Sequence, residues 1–314
     1  MANSDNIKND AAAVDVSQIK AINKVSFKQR MKAYKRKPLS LVLLILVGLA
    51  AALSAAALIF IIVYVLVRGV PNLTPELFSL EYNSDNVSCM PSIINTIVLT
   101  LVTLIISVPF GVGAAIYLAE YAKRGNKLVK VIRTMAETLA GIPSIVYGFF
   151  GLMVIVPFIR DNFGGNGSSL LAASIVLGIM ILPTIIGVSE SAIRAVPENY
   201  YEGALALGAT RERSVFKTML PAAKSGILAG VVLGIGRAIG ETMAVILIAG
   251  NQVQIPTSLT DGVRTLTANI VLEMGYSTGL HRQALIATGV VLFVFILIIT
   301  LSMQAIKSRS EKNG

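Results

Sequence analysis

The sequence has one cysteine, one histidine and no tryptophan, and only 14% of its 314 residues are charged. A lone Cys89 excludes an internal disulfide, and His281 by itself supplies no cluster with metal-ligand spacing. No Gly-x-x-x-x-Gly-Lys-Ser/Thr phosphate loop occurs, so the chain is not expected to hydrolyse ATP or to hold a cofactor of its own. What fills the chain is apolar: 54% of the residues are hydrophobic, in runs longer than the ~20 residues a helix needs to cross a bilayer. The expected class is an all-α polytopic membrane protein.

Six nearly uncharged runs, at 39–67, 92–118, 138–159, 169–189, 226–250 and 284–306, are read as transmembrane helices. The net charge of +10 does not point to nucleic acid, because its distribution follows membrane topology. Of the 27 Lys and Arg, 22 fall in the N-terminal segment, in 119–137, in 190–225 and at the C-terminus, and only four in the alternate loops. This asymmetry is expected to put both termini and the 190–225 loop in the cytoplasm. The organisation is then a basic N-terminal segment (1–38), a six-helix domain (39–306) and a short tail (307–314). About 38 polar and basic residues precede the first apolar run, more than a signal peptide's n-region holds, so the first span is expected to stay. Within 16–37, apolar residues alternate with lysines. That pattern fits either a helix lying on anionic lipid or a solvated tail that fixes topology.

The polar loop Pro197–Pro221 reads as two short helices meeting at a turn. Pro197 and Glu198 suit a helix start, Gly208 suits the left-handed residue that ends one, and Thr210 can cap the next. The second helix is expected to turn Val215, Phe216, Met219 and Leu220 to one side. Glu202, Ala204, Gly208, Leu220 and Pro221 resemble, in spacing, the E-A-A, three residues, G, nine residues, I-x-L-P signature of permease subunits of bacterial ATP-binding-cassette importers. Gly203 and Thr218 depart from it. The resemblance implies a type I importer permease fold whose coupling-helix loop enters a groove on a separate ATPase. In such a mechanism Glu202 is expected to bond or cap locally, Gly208 to permit the turn and Phe216 to be a buried anchor.

The fifth run carries two ionisable residues four apart, Arg237 and Glu241. On a continuous helix they share a face, and the cost of an intramembrane charge turns that face toward protein or water. Arg before Glu is the weaker order for a helical pair, so mutual attraction is a poor reason for their presence. The Arg237 guanidinium suits a passing oxyanion. Glu241 either neutralises Arg237 when the path is empty or accepts a hydrogen bond from a protonated phosphate oxygen, a donor that sulfate lacks. A structural ion pair is the alternative. Gly226, Gly230 and Gly234 recur at every fourth position and allow a helix or a substrate close to the backbone. Pro109, Pro143, Pro157 and Pro183 mark the other spans, either as simple kinks or as broken backbone lining a path.

Two stretches narrow the resemblance: Gly141-Ile-Pro-Ser-Ile-Val-Tyr-Gly148 with the following Phe-Phe-Gly-Leu152, and Gly234-Ile-Gly-Arg-Ala-Ile-Gly-Glu-Thr-Met-Ala-Val245. They resemble permeases of bacterial phosphate-specific importers, of the PstC type rather than its PstA-like sister. The resemblance implies inorganic phosphate as substrate and no cofactor on this chain, with ATP used by a cytoplasmic PstB-like ATPase dimer. A PstA-like sister permease, a PstS-like extracytoplasmic phosphate-binding protein and the bacterial plasma membrane complete the setting. A permease for another oxyanion and a stand-alone anion transporter are the rival readings, although no internal repeat of the kind common in secondary transporters is visible. His281 and Arg282 near the outer end of the last span either anchor at the interface or meet substrate or binding protein. Tyr200 and Tyr201 are expected at the membrane interface, and Cys89 as an incidental small residue.

Overall fold

The computed structural model describes residues 38–83, 86–122 and 125–312. The basic segment of residues 16–37, with its lipid-surface and solvated-tail readings, lies outside the described residues. Residues up to Val63 form one unit and those from Tyr64 onward another. A single helix, α1 (Pro38–Gly69), is the described part of the first and passes into the second.

Among the described residues six helical stretches are long and apolar enough to cross a membrane: Leu39–Asn72, Met90–Tyr121, Ser144–Phe163, Leu170–Arg194, Arg211–Gly240 and Gly279–Ala305. The count matches the apolar runs, but the bounds of several spans move. The third span begins at Ser144 rather than 138, because Pro143 (φ −58°, ψ 139°) takes the extended form a helix cannot continue through. The amphipathic helix before it, α3 (Lys127–Gly141), follows α2 (Met90–Ile116) and a wide π turn, Tyr117–Tyr121. The fifth span starts earlier and ends sooner than 226–250. The last helix runs on through Lys312, past the boundary expected at 306.

The third span is itself compound. It consists of α4 (Ser144–Phe150), a π turn at Gly151–Ile155 and α5 (Val156–Phe163). Pro157 lies two residues beyond that π turn, where the relaxed ladder accommodates a residue without an N–H. By contrast Pro109 and Pro183 lie inside α2 and the fourth span, α6 (Leu170–Arg194), without ending either helix, so simple kinking suffices for them. Ser169 caps α6 by accepting the Ala172 N–H at 3.2 Å.

The core of the second unit is α6. Of its apolar stretch 61% is buried, against 28% in the second, third and fifth spans. It is held between α2 and the fifth-span helix α9 (Leu220–Gly240) by small residues. A methyl group at Gly111 of α2 would meet Ile185, and one at Gly178 of α6 would lie 3.7–3.9 Å from Ile106, Ser107 and the Thr103 carbonyl. On the other side Gly226, Gly230 and Gly234 descend against Ala192, Val188 with Ser189, and Ile185 with Ile181, the register of two antiparallel helices. The four-residue glycine repeat is thus consumed by helix packing rather than by the path. Gly236 and Gly240 beside the charges, in contrast, have open space where a Cβ would stand.

The two stretches that carry the phosphate-importer resemblance pack on each other. A Cβ at Gly148 would stand 2.8 Å from the Ala244 Cα, and one at Gly151 would stand 2.7 Å from Val176 and 3.1 Å from Ile248. Residues 244–248 belong to a short helix, α10 (Met243–Ile248).

The region 249–278 folds over the start of the second span. Asn95 donates to the carbonyls of Gln254 (3.0 Å) and Arg264 (3.2 Å), and Thr96 Oγ1 accepts the Leu266 N–H (3.0 Å), which opens α11 (Leu266–Met274). Arg264 pairs with Glu273 at 2.8 Å, both nearly buried, and its Nε donates to the Asn251 carbonyl. Tyr276 donates to the other Glu273 oxygen, and His281 Nε2 stands 3.9 Å from it, at the start of the last helix, α12 (Gly279–Lys312). His281 therefore belongs to this polar cluster. Asp261 receives the Ser258 and Thr257 N–H groups and the Thr257 hydroxyl, which hold its carboxyl below the usual carboxylate range. Cys89 is buried against Leu77, Leu266 and Ala287, and burial pushes its thiol up to about 11, so at neutral pH it is protonated and inert.

Replacing Gly148 by valine is expected to cost about 1–3 kcal/mol of overpacking, because the obstacle is backbone that cannot swing away. Gly113→Ala, with nothing within 4 Å of the added carbon, is the control. Thermal unfolding in detergent checks the pair: a clear fall in Tm for the first and none for the second is expected.

Candidate functional site

The loop before the fifth span has the two-helix form that its sequence suggests. Helix α7 (Glu198–Ala206) follows Pro197 and has Glu198 in its first turn. Gly208 then takes φ +82°, and the Thr210 hydroxyl caps the next helix, α8 (Arg211–Ser214), by accepting the Arg213 N–H at 3.3 Å. From Arg211 the helical path is unbroken to Gly240, through a π turn at Val215–Met219 and into α9. Pro221 lies two residues beyond that π turn, and the carbonyl its ring would crowd, four residues back, is Lys217 within it.

The widened turn also splits the apolar face. Val215 and Met219 are buried, but Phe216 is 53% exposed, so Phe216 does not share their side as a uniform helix would have it. The physical reason is angular. A π turn advances less per residue than the α-helix, which brings 215 and 219 to one line and leaves 216 off it. Phe216 is no anchor within this chain; with Leu205, Leu207 and Tyr200 it lies at the surface of the loop. Glu202 is exposed, and among the described residues no hydrogen bond reaches its carboxylate, so the expected local bond is absent. Ala204 is half-buried in α7, as is Leu220 at the head of α9. Gly203, a departure from the importer signature, has nothing within 4 Å of an added Cβ. Alanine and glycine are therefore sterically equivalent there within the chain.

At the other end of the same helix the expected geometry changes more. Arg237 is in the last turn of α9, which stops at Gly240. Glu241 is extended (φ −71°, ψ 133°) and does not share a helical face with Arg237. Three effects account for the break, two local and one from a distant element. Gly240 is a weak helix former, the Glu241 carboxylate takes the Ala244 N–H at 3.2 Å, and the freed Glu241 carbonyl accepts the Thr267 hydroxyl of α11 at 2.9 Å. Broken backbone at membrane depth is thus satisfied by protein groups. A similar repair spans the Pro143 break, where the Tyr147 hydroxyl donates to the Leu139 carbonyl at 2.7 Å.

Arg237 and Glu241 form no ion pair, and among the described residues no carboxylate lies within 4.0 Å of the Arg237 guanidinium. Among the described residues its protein partner is the Thr184 hydroxyl at 3.5 Å, one residue past Pro183 in α6. The carbonyl end of α9 offsets part of the charge. Arg237 is half-buried, and among the described residues its guanidinium has no further protein partner. Sequence reasoning missed Thr184 and Thr267. Pro183 pointed to the neighbourhood of the first, and nothing local signals the second.

The family described as binding-protein-dependent transport system inner membrane component matches residues 107–312. The chain belongs to this family. It is a multi-pass membrane permease component with an ABC importer permease fold. The probable ABC transporter permease protein YqgH of Bacillus subtilis (strain 168) is 37% identical over 280 residues, covering 85% of this chain and 90% of that protein. The phosphate transport system permease protein PstC of Xylella fastidiosa (strain 9a5c) is 36% identical over 261 residues, 75% of this chain and 80% of that one. Among solved structures, a bacterial alginate ABC transporter in complex with its alginate pentasaccharide-bound periplasmic protein aligns with a TM-score of 0.62. It covers 88% of this chain and 97% of that one at 16% identity, which speaks to the fold alone.

Gly208→Val forces a β-branched residue to φ +82°, at a cost of about 1–2 kcal/mol to the turn. The space around it is open, so the expected outcome is a protein of nearly unchanged Tm whose 197–221 loop is cleaved faster by added protease. Equal cleavage rates would contradict the turn geometry.

Proposed function

We propose that this chain is the PstC-like, channel-forming permease subunit of an ATP-driven inorganic phosphate importer in the bacterial plasma membrane. It lies with its termini and the 190–225 loop in the cytoplasm. The observation that carries the reading is Arg237. It is a half-buried cation with no carboxylate partner among the described residues, in the span whose helix continues back to the loop that exposes Leu205, Leu207 and Phe216. Moving a cation from water without a counter-ion is costly, and a guanidinium fork offset mainly by a helix end and one hydroxyl suits a transient dianion. The 36% identity to a phosphate permease supports phosphate as that dianion.

ATP is hydrolysed by a separate PstB-like ATPase dimer, whose groove receives the loop through Phe216, Leu205 and Leu207. Glu202, Ala204, Gly208, Leu220 and Pro221 set the loop's shape. A PstA-like sister permease completes the path, and a PstS-like binding protein delivers phosphate from outside. The chain is a transport subunit and binds no cofactor of its own. Glu241, with one carboxylate oxygen on the Ala244 N–H, has the other left to accept the proton-bearing oxygen of hydrogen phosphate. The same Arg237 fork would serve another oxyanion, and competition by sulfate distinguishes the two.

Arg237→Gln is expected to lower labelled-phosphate uptake by about 10- to 100-fold, the worth of a charge-assisted hydrogen bond of about 1.5–3 kcal/mol, while the complex still assembles. Arg237→Lys, a point charge without the fork, should retain part of the rate. Glu241→Gln keeps an oxygen for the Ala244 N–H and should weaken the preference for phosphate over sulfate. Parental uptake and preference in all three would sink the assignment of these residues.

A further inference from the structure

The second span ends in the π turn Tyr117–Tyr121, and the carbonyls at such an end have no partner within their own helix. Two arginines from elsewhere in the chain cover them. Arg194, in the last turn of α6, donates to the Leu118 carbonyl, and Arg211, the first residue after the Gly208–Thr210 turn, donates to the Glu120 carbonyl. The Arg211 guanidinium also lies over the Tyr121 ring, 5.1 Å from its centre. Glu190 gathers the rest by accepting from Arg194 Nε at 2.9 Å and from Arg133 of α3. Four segments that diverge in sequence are thus joined at their cytoplasmic ends.

The arginines of these contacts are half-exposed, Arg133 and Arg194 keeping 46% and 48% of their side-chain surface around a Glu190 that keeps 12%, and the Arg211 contact to the Glu120 carbonyl is exposed. Contacts made by such exposed arginines add little to folding stability. Their value is geometric, because Arg211 stands at the head of a helical path that ends beside Arg237, about 39 Å away at a rise of about 1.5 Å per residue. A helix start held only by the loop would let the loop move without the rest of the bundle. With its guanidinium fixed to the end of the second span, a push on the loop carries the second, fourth and fifth spans together.

We infer that Arg211 is a positioning residue for transport: it tethers the docking loop to the end of the second span through the Glu120 carbonyl and the Tyr121 ring, so that movement of the loop is transmitted to the path. The inference rests on the proposed importer reading. The tether is internal to this chain and is distinct from the apolar surface offered to the ATPase.

The test uses the whole complex in lipid and measures phosphate transported per ATP hydrolysed. Arg211→Met keeps the length of the side chain and removes the charge and the donors. It is expected to co-purify with the ATPase in parental amount, to hydrolyse ATP at about the parental rate, and to transport about five-fold less phosphate per ATP or fewer still. Arg211→Lys, which can still reach a carbonyl and an aromatic face, should recover most of the ratio, and Tyr121→Leu should lower it part-way. A parental ratio in Arg211→Met overturns the tether. Loss of ATPase from that complex overturns it too, since Arg211 would then be a docking contact. If the parental complex neither hydrolyses ATP nor transports phosphate, the importer reading itself fails, and the tether with it.

Discussion

Inside a bilayer every backbone N–H and carbonyl that leaves a helix must find a partner in the protein, and the irregular points of this chain answer to that constraint. The break at Glu241 is held by the Thr267 hydroxyl and by the capping of Ala244, and the break at Pro143 by the Tyr147 hydroxyl. The end of the second span at 117–121 is held by two arginines. The Thr267 and Tyr147 hydroxyls and the two arginines each come from a different element than the one they mend. The irregularities therefore link the spans where they depart from regular helix, which is where a transporter has to transmit movement.

The arrangement around α6 gives those links a frame. Glycine contacts bring α2 and α9 close to its two sides, so that the second, fourth and fifth spans pack as a single layered body. The helical path from Arg211 to Gly240 has a surface loop at one end and, at the other, a guanidinium that no carboxylate meets among the described residues. Under the proposed function the loop is one end of a lever and the path is the other. The rest of the second unit supplies the bearing.

What the sequence disclosed were the features set by neighbours in the chain. Six spans follow from run length. The turn at Gly208 and the cap at Thr210 follow from residue types a few positions apart, and the structure has both. What it hid depended on distant partners. The i, i+4 spacing of Arg237 and Glu241 implies a shared face only if the helix continues. It stops because Thr267, 26 residues later, takes the Glu241 carbonyl. Phe216 left the face of Val215 and Met219 because of a π turn that residue spacing does not reveal. Gly226, Gly230 and Gly234 gave close approach as expected, but to α6 rather than to the path. The two stretches that resemble phosphate-importer permeases are about 90 residues apart in sequence, and only the fold brings Gly148 onto Ala244.

The most direct test of the account is ATP hydrolysis by the lipid-embedded complex that co-purifies with this chain, with its binding protein added loaded with phosphate, loaded with sulfate, or empty. The account predicts stimulation by the phosphate-loaded form alone. Stimulation by sulfate in its place, or the absence of any co-purifying ATPase, would contradict it.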